Sequence, residues 1–235
     1  MSVEALKSEL ATANRILFHY GVVDAFGHIS ARHPDRPDHY LLARNMAPAR
    51  VNASDVMLFG PDDEPVADDR RPYLERFIHG AIYRARPDVH SVVHSHSPAV
   101  IPFGVVAGAQ LRPIFHMCGF LGAGAARFEI RDVRGDATDL LIRDHELGAA
   151  LARALGSAEA VLMRGHGSTV VADSVRLAVY RAIYAEANAR LQCQAMTMGG
   201  EITFLTEAEA AASAESNKGQ LARAWDMWAA QVAAK

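Results

Sequence analysis

The sequence has only two cysteines, Cys118 and Cys193, in 235 residues. They stand far apart and in no paired motif, which excludes a disulfide framework and a four-cysteine zinc site and makes a reducing cytoplasm the default compartment. An excess of positive charge is also missing: 24 Lys and Arg against 27 Asp and Glu, interspersed, leave a formal net charge of −3. Without a basic field nothing holds a nucleic-acid backbone. Nowhere do about 18 uncharged apolar residues run together, so no membrane span is expected. Met1 to Leu10 carries Glu4 and Glu9 and has no apolar stretch of the kind a targeting segment needs. What is present is a half-apolar chain with 22% charged residues, no repeat and no linker, which suits one α/β domain over residues 1–235.

Apolar residues at helical spacing predict a first helix over Glu4 to Tyr20, stopped at Gly21. Short strands are expected around His28 to Arg32, Tyr40 to Ala43 and Val56 to Gly60, between clusters of Pro, Asp and Asn. A second helix is expected from Pro72 to about Pro87, with Glu75 near its N-terminus. A strand then runs through Val89 to His94, followed by a helix start at Ser97-Pro98. Further on, Asp144 to Leu155 reads as a helix ended by Gly156, and Ala160 to Met163 as a buried strand. Asp173 is placed to cap a long helix to about Met198. Thr206 and Glu209 have capping-box spacing for a final helix carrying Trp225 and Trp228.

Eleven histidines are the chemically informative feature, because imidazole is the commonest metal ligand. In Val92-Val93-His94-Ser95-His96 the two histidines lie two apart on a strand, project from one face and can grip one ion together. A catalytic metal site usually has three protein ligands and an open position. His166 is the best third candidate, since it follows the apolar run Val161-Leu162-Met163 and lies between Gly165 and Gly167, where the backbone can turn tightly. Among the others, His28 has a functional place beside Gly27. His19, His33, His39, His79 and His90 read as surface or packing residues.

The order Glu75, then Val-Val-His94-Ser-His96, then Gly165-His166-Gly167 resembles the class II aldolase and adducin amino-terminal superfamily, over nearly the whole chain. Gly27-His28-Ile29-Ser30, Pro72-Tyr73-Leu74-Glu75 and Arg86-Pro87-Asp88 extend the resemblance. It implies a nine-stranded, mixed and mainly antiparallel sheet between helix layers. It also implies a tetramer with sites at subunit contacts, and a divalent ion (manganese, zinc, iron or cobalt) on His94, His96 and His166, with Glu75 as acid–base group or occasional ligand.

Sugar-phosphate aldolases of that superfamily bind the phosphate through a Ser-Ser pair before the glutamate and an early Asn. Here those positions are Tyr73, Leu74 and His28. Where the fuculose type has a proton-donating tyrosine, this chain has Met117, and a thioether cannot supply a proton. Carbon dioxide as leaving group needs no such donor. The early Gly-His-x-Ser is similar to the branch that decarboxylates hydroxylated aromatic or pyridine dicarboxylates. A metal ion would there stabilise enolate-like charge and Glu75 would protonate the ring carbon. His28 and Ser30 would contact this small aromatic carboxylate, and Arg71 or Arg112 would pair with it. The alternatives are an aldolase or epimerase for an unphosphorylated hydroxy acid or sugar, and a noncatalytic adducin-like interaction module.

Overall fold

A computed structural model describes residues 1–233. Its sheet has seven strands in the order β3-β2-β1-β4-β7-β6-β5, formed by β1 (His28–Arg32), β2 (Tyr40–Ala43), β3 (Val56–Phe59), β4 (Ser91–Ser95), β5 (Ala126–Phe128), β6 (Ala160–Met163) and β7 (Gly167–Ala172). All neighbours are antiparallel except β5 and β6. The expected mixed α/β sheet is present, but with seven strands rather than nine. Pro65 makes only an isolated bridge to Phe59. Near Arg112 to Ile114, side chains of a helix take over the backbone partners that a neighbouring strand would supply: Asn188 accepts from the Ile114 N–H and donates to the Arg112 carbonyl, and Gln192 accepts from the Arg112 N–H.

Helices α1 (Val3–His19), α6 (Val175–Met198) and α8 (Leu221–Ala233) pack together, α1 against β1 and α6 over β4 and β7. Helices α2 (Arg76–Ala85) and α5 (His145–Leu155) form a second pair, with α5 against β5 and β6. Strand β6 alternates as a buried two-sided strand must: Val161 and Met163 join the larger core, Ala160 and Leu162 the smaller one beside α6 residues Ala185 and Ala189. Two short helices, α3 (Ile101–Val105) and α4 (Arg131–Arg134), and α7 (Glu207–Lys218) complete the list.

Several element ends differ from expectation for identifiable reasons. Helix α2 begins at Arg76, not at Pro72, because the Tyr73 hydroxyl is tied to the Met46 carbonyl at 2.5 Å and holds the preceding segment outside the helix. No helix starts at Ser97-Pro98. Glu186 accepts from both the Ser97 hydroxyl (2.5 Å) and the Ala99 N–H (3.0 Å), fixing a turn that precedes α3. The cap of α6 is Ser174, whose hydroxyl accepts from the Leu177 N–H, while Asp173 faces Lys218. The Thr206–Glu209 capping box forms, but its helix ends at Lys218, so the two tryptophans lie on α8 instead. Strands β5 and β7 had no counterpart in the sequence reading.

Candidate metal centre

Strand β4 is the middle strand of the sheet, and its carboxyl end is the focus. Because β1 is antiparallel to β4, His28 at the start of β1 is the direct cross-strand neighbour of His94. Strand β6 is antiparallel to β7, which is antiparallel to β4, so the β6–β7 hairpin turn bearing His166 lies at the same end. Topology thus gathers residues that are 138 positions apart in sequence, from His28 to His166, at one edge.

The hairpin needs both its glycines, for different reasons. Gly165 has φ +68°, which is the left-handed region. Gly167 has no such angle, but a Cβ there would stand 2.1 Å from the Ser95 carbonyl oxygen, so only glycine lets β7 start this close to the end of β4.

His94 Nε2 and His166 Nε2 each lie 3.5 Å from Glu75 Oε2, and His166 Nε2 lies 3.0 Å from His96 Nε2. One donor atom from each of Glu75, His94, His96 and His166 falls within 4.8 Å of all the others. Two observations test whether this set suits a cation. His94 is fully buried with neither ring nitrogen hydrogen-bonded, which is costly for a polar group unless something else satisfies it. His166 Nδ1 lies 3.0 Å from the Leu140 carbonyl. A carbonyl can only accept, so Nδ1 carries the proton and Nε2 presents a lone pair to the cluster, the tautomer a metal ligand requires. The four side chains can hold a divalent ion.

Glu75 is the N-cap residue of α2, yet its side chain does not cap. Its Oε1 accepts from the Ile142 N–H at 2.9 Å, which leaves Oε2 toward the histidines. Burial alone would raise the Glu75 carboxyl, but the His94 and His166 rings beside Oε2 outweigh it and hold it well below the usual carboxylate range. Burial, reinforced by His94 and His166, pushes His96 down to about 4. The His96 imidazole therefore stays unprotonated and able to ligate near neutrality.

A pocket of about 390 Å³ opens beside the cluster, lined among others by Phe26, His28, Arg71, Tyr73, Leu74 and Glu75, with His96 at its edge. His28 and Arg71 are therefore brought to the site. Ser30 is not: it is fully buried, with its hydroxyl 2.6 Å from His79 Nδ1 and 2.7 Å from the Tyr83 hydroxyl. Nor is Arg112 part of this pocket. Its guanidinium stacks 4.2 Å over Phe204 in a separate hollow. Met117 packs in the core beside Tyr180, whose hydroxyl donates to the Met117 carbonyl.

Sequence reasoning passed over His79 as a packing residue, yet its Nε2 sits 2.7 Å from His28 Nδ1. A signal existed: Glu75, His79 and Tyr83 recur at i, i+4 and share one helical face, as His28 and Ser30 share one face of β1. Leu140 and Ile142, which orient His166 and Glu75 through their backbones, had none. Leu140 holds φ +70°, an uncommon conformation for a leucine.

The sequence pattern of the Class II Aldolase and Adducin N-terminal domain matches residues 8–193. The chain belongs to that family. Among its relatives, the decarboxylase tropJ of Talaromyces stipitatus is 38% identical, over 92% of this chain and 90% of its own length. The 3,4-dihydroxyphthalate decarboxylase of Arthrobacter keyseri is 33% identical, over 87% and 84%. The class II aldolase fold recurs in an aldolase II superfamily protein from Pseudomonas syringae, with TM-score 0.78, 24% identity and coverage of 97% and 92%. No helix of the described residues is long and apolar enough to cross a membrane.

Proposed function

We propose that this class II aldolase family member is a divalent-metal-dependent decarboxylase of a hydroxylated aromatic or pyridine dicarboxylate. His94, His96 and His166 are the ligands of a manganese, zinc, iron or cobalt ion, and Glu75 is the proton carrier. The observation that carries the reading is the pocket beside the cluster. Where phosphate-binding hydroxyls would stand, it presents Leu74 and a Tyr73 whose hydroxyl already bonds Met46. The decarboxylase relatives support the same reading.

A divalent ion bound there supplies Lewis-acid stabilisation of the negative charge that develops as the carbon–carbon bond breaks. The residues supply the rest. About 390 Å³ accommodates a single ring, with Phe26 and Leu74 as apolar walls. Arg71 pairs with a substrate carboxylate, for which the guanidinium fork is suited. Glu75, anchored through Oε1 by the Ile142 N–H, keeps Oε2 free to take a proton and return it to the ring carbon that loses carbon dioxide. Met117, half-buried beside Tyr180, has no proton to give, and a departing carbon dioxide asks for none. Phe26 and Leu74 are both exposed at the pocket mouth, which suits a site completed by a neighbouring subunit in a cytoplasmic homotetramer.

The test is metal analysis of the purified protein, then a carbon dioxide assay on a panel of hydroxylated aromatic dicarboxylates, with His96→Ala as control. Metal in the wild type, its loss in the variant and carbon dioxide release are expected. An aldehyde product in place of carbon dioxide would overturn the decarboxylase reading in favour of an aldolase.

A further inference from the structure

Beneath the pocket runs a chain of four side chains with no charged member. The Tyr83 hydroxyl lies 2.7 Å from Ser30 Oγ, Ser30 Oγ 2.6 Å from His79 Nδ1, and His79 Nε2 2.7 Å from His28 Nδ1. All four are buried, Ser30 and His79 completely. Such a chain can carry its protons in one of two directions, and counting hydrogens decides between them.

If protons pointed away from the pocket, His28 would donate to His79, His79 to Ser30 and Ser30 to Tyr83. The phenolic hydrogen of Tyr83 would then have no acceptor among the described residues, on a buried side chain. An orphaned buried hydroxyl costs on the order of a full hydrogen bond or more. The same objection meets a doubly protonated His28, because it too must donate from Nδ1. In the opposite direction every hydrogen is used: Tyr83 donates to Ser30, Ser30 to His79 Nδ1, and His79 Nε2–H to His28 Nδ1. The last proton of the chain then sits on His28 Nε2, the nitrogen with no protein partner, on a residue that lines the pocket.

We propose that His79 is a positioning residue: with Ser30 and Tyr83 it locks His28 as the Nε2–H tautomer, a hydrogen-bond donor aimed at an anionic group of the substrate. The same arrangement keeps His28 out of the metal set although its ring lies 5.1 Å from that of His94. Both of its nitrogens are committed, one accepting from His79 and one already protonated. His166 is set the other way by the Leu140 carbonyl and offers a bare Nε2. Neighbouring imidazoles thus receive opposite tautomers from their second partners. Burial keeps both rings of the pair uncharged, lowering His28 well below its ordinary value and His79 to about 3.

The tautomer is read directly by two-bond proton–nitrogen correlation on zinc-loaded protein labelled with ¹⁵N-histidine, with His28 assigned by its loss in His28→Gln. A single Nε2–H form is expected, and Nδ1–H or protons on both nitrogens would overturn the proposal. In His79→Phe, His28 should populate both tautomers while zinc content is unchanged. An unaltered single form would remove His79 from the role. Should that variant not fold, Ser30→Ala cuts the chain one link earlier and faces the same two outcomes. The contact with substrate rests on the decarboxylase reading and is tested with 3,4-dihydroxybenzoate: His28→Phe should weaken its binding about tenfold or more, and equal affinity would overturn the contact. Since the tautomer measurement needs no substrate, failure to release carbon dioxide would sink the proposed reaction without touching it.

Discussion

Replacing Gly167 by alanine isolates the packing that brings the second and third histidines together. The added Cβ would meet the Ser95 carbonyl oxygen at 2.1 Å, its carbon at 3.1 Å and His96 Cδ2 at 3.2 Å. The obstruction is backbone and cannot rotate away. To reach a tolerable separation, the end of β4 and the start of β7 must part by about 1 Å, and overpacking of that kind costs about 1–3 kcal/mol. For a domain of this size each kcal/mol moves Tm by about 2–4 °C, so a fall of about 2–12 °C is expected in the presence of chelator. Metal-site distances tolerate only about 0.2 Å, so the ion should also bind more weakly, by about 10- to 100-fold. Gly165→Ala is the control. Its nearest contact is Leu140 Cδ1 at 3.6 Å, so it should lose only the roughly 1 kcal/mol of a strained φ, with metal affinity close to wild type. Thermal unfolding and zinc titration of both variants give the answer. A Gly167→Ala protein with wild-type Tm and wild-type affinity would refute the reasoning.

Three further expectations concern charge, metal and substrate. His79 has a folded pKa of about 3 against an ordinary 6.5, so the unfolded chain takes up its proton first. The stability this burial supports is present above about pH 6.5 and lost as pH falls towards 3, about 2 kcal/mol of it by pH 5. Urea midpoints at pH 8 and pH 5 should show that loss, and His79→Phe should show less of it. With metal at about 100 times its Kd, linkage adds about 2.7 kcal/mol, so chelation should lower Tm in wild type and leave His96→Ala unmoved. A wild-type Tm indifferent to chelator would count against a resident ion. Arg71→Met should raise KM about tenfold or more with metal content intact, whereas Arg112→Met, whose guanidinium lies over Phe204 outside the pocket, should leave KM unchanged. Equal effects of the two would reverse their assignment.

Periodicity was enough to read the helices α1 and α5 and the strands β1, β2 and β6, because each has a pattern set by its own neighbours in sequence. His94 and His96 were legible as a pair for the same reason: two residues apart on a strand share a face whatever surrounds them. Helix starts were less legible. Tyr73 and Glu186 fix them through partners distant in sequence, Met46 in one case and Ser97 with Ala99 in the other. The strand number taken from resemblance was too high, since Asn188 and Gln192 satisfy backbone groups that a further strand would otherwise pair.

The sequence by itself determined which residue types could form the site: three imidazoles, a glutamate and a glycine-flanked turn, in an order shared with a family. Only the tertiary structure decided what each of them is free to do. Ser30 and His79 look alike in a sequence as polar residues in apolar stretches, yet hydrogen bonds turn both inward beneath His28. Leu140 and Ile142 carry no side-chain chemistry, yet their backbone groups set the tautomer of His166 and anchor Glu75. The reason is physical: a residue's chemistry is a property of its side chain, but its protonation, orientation and vacancy for a ligand depend on partners that only folding brings within hydrogen-bonding distance.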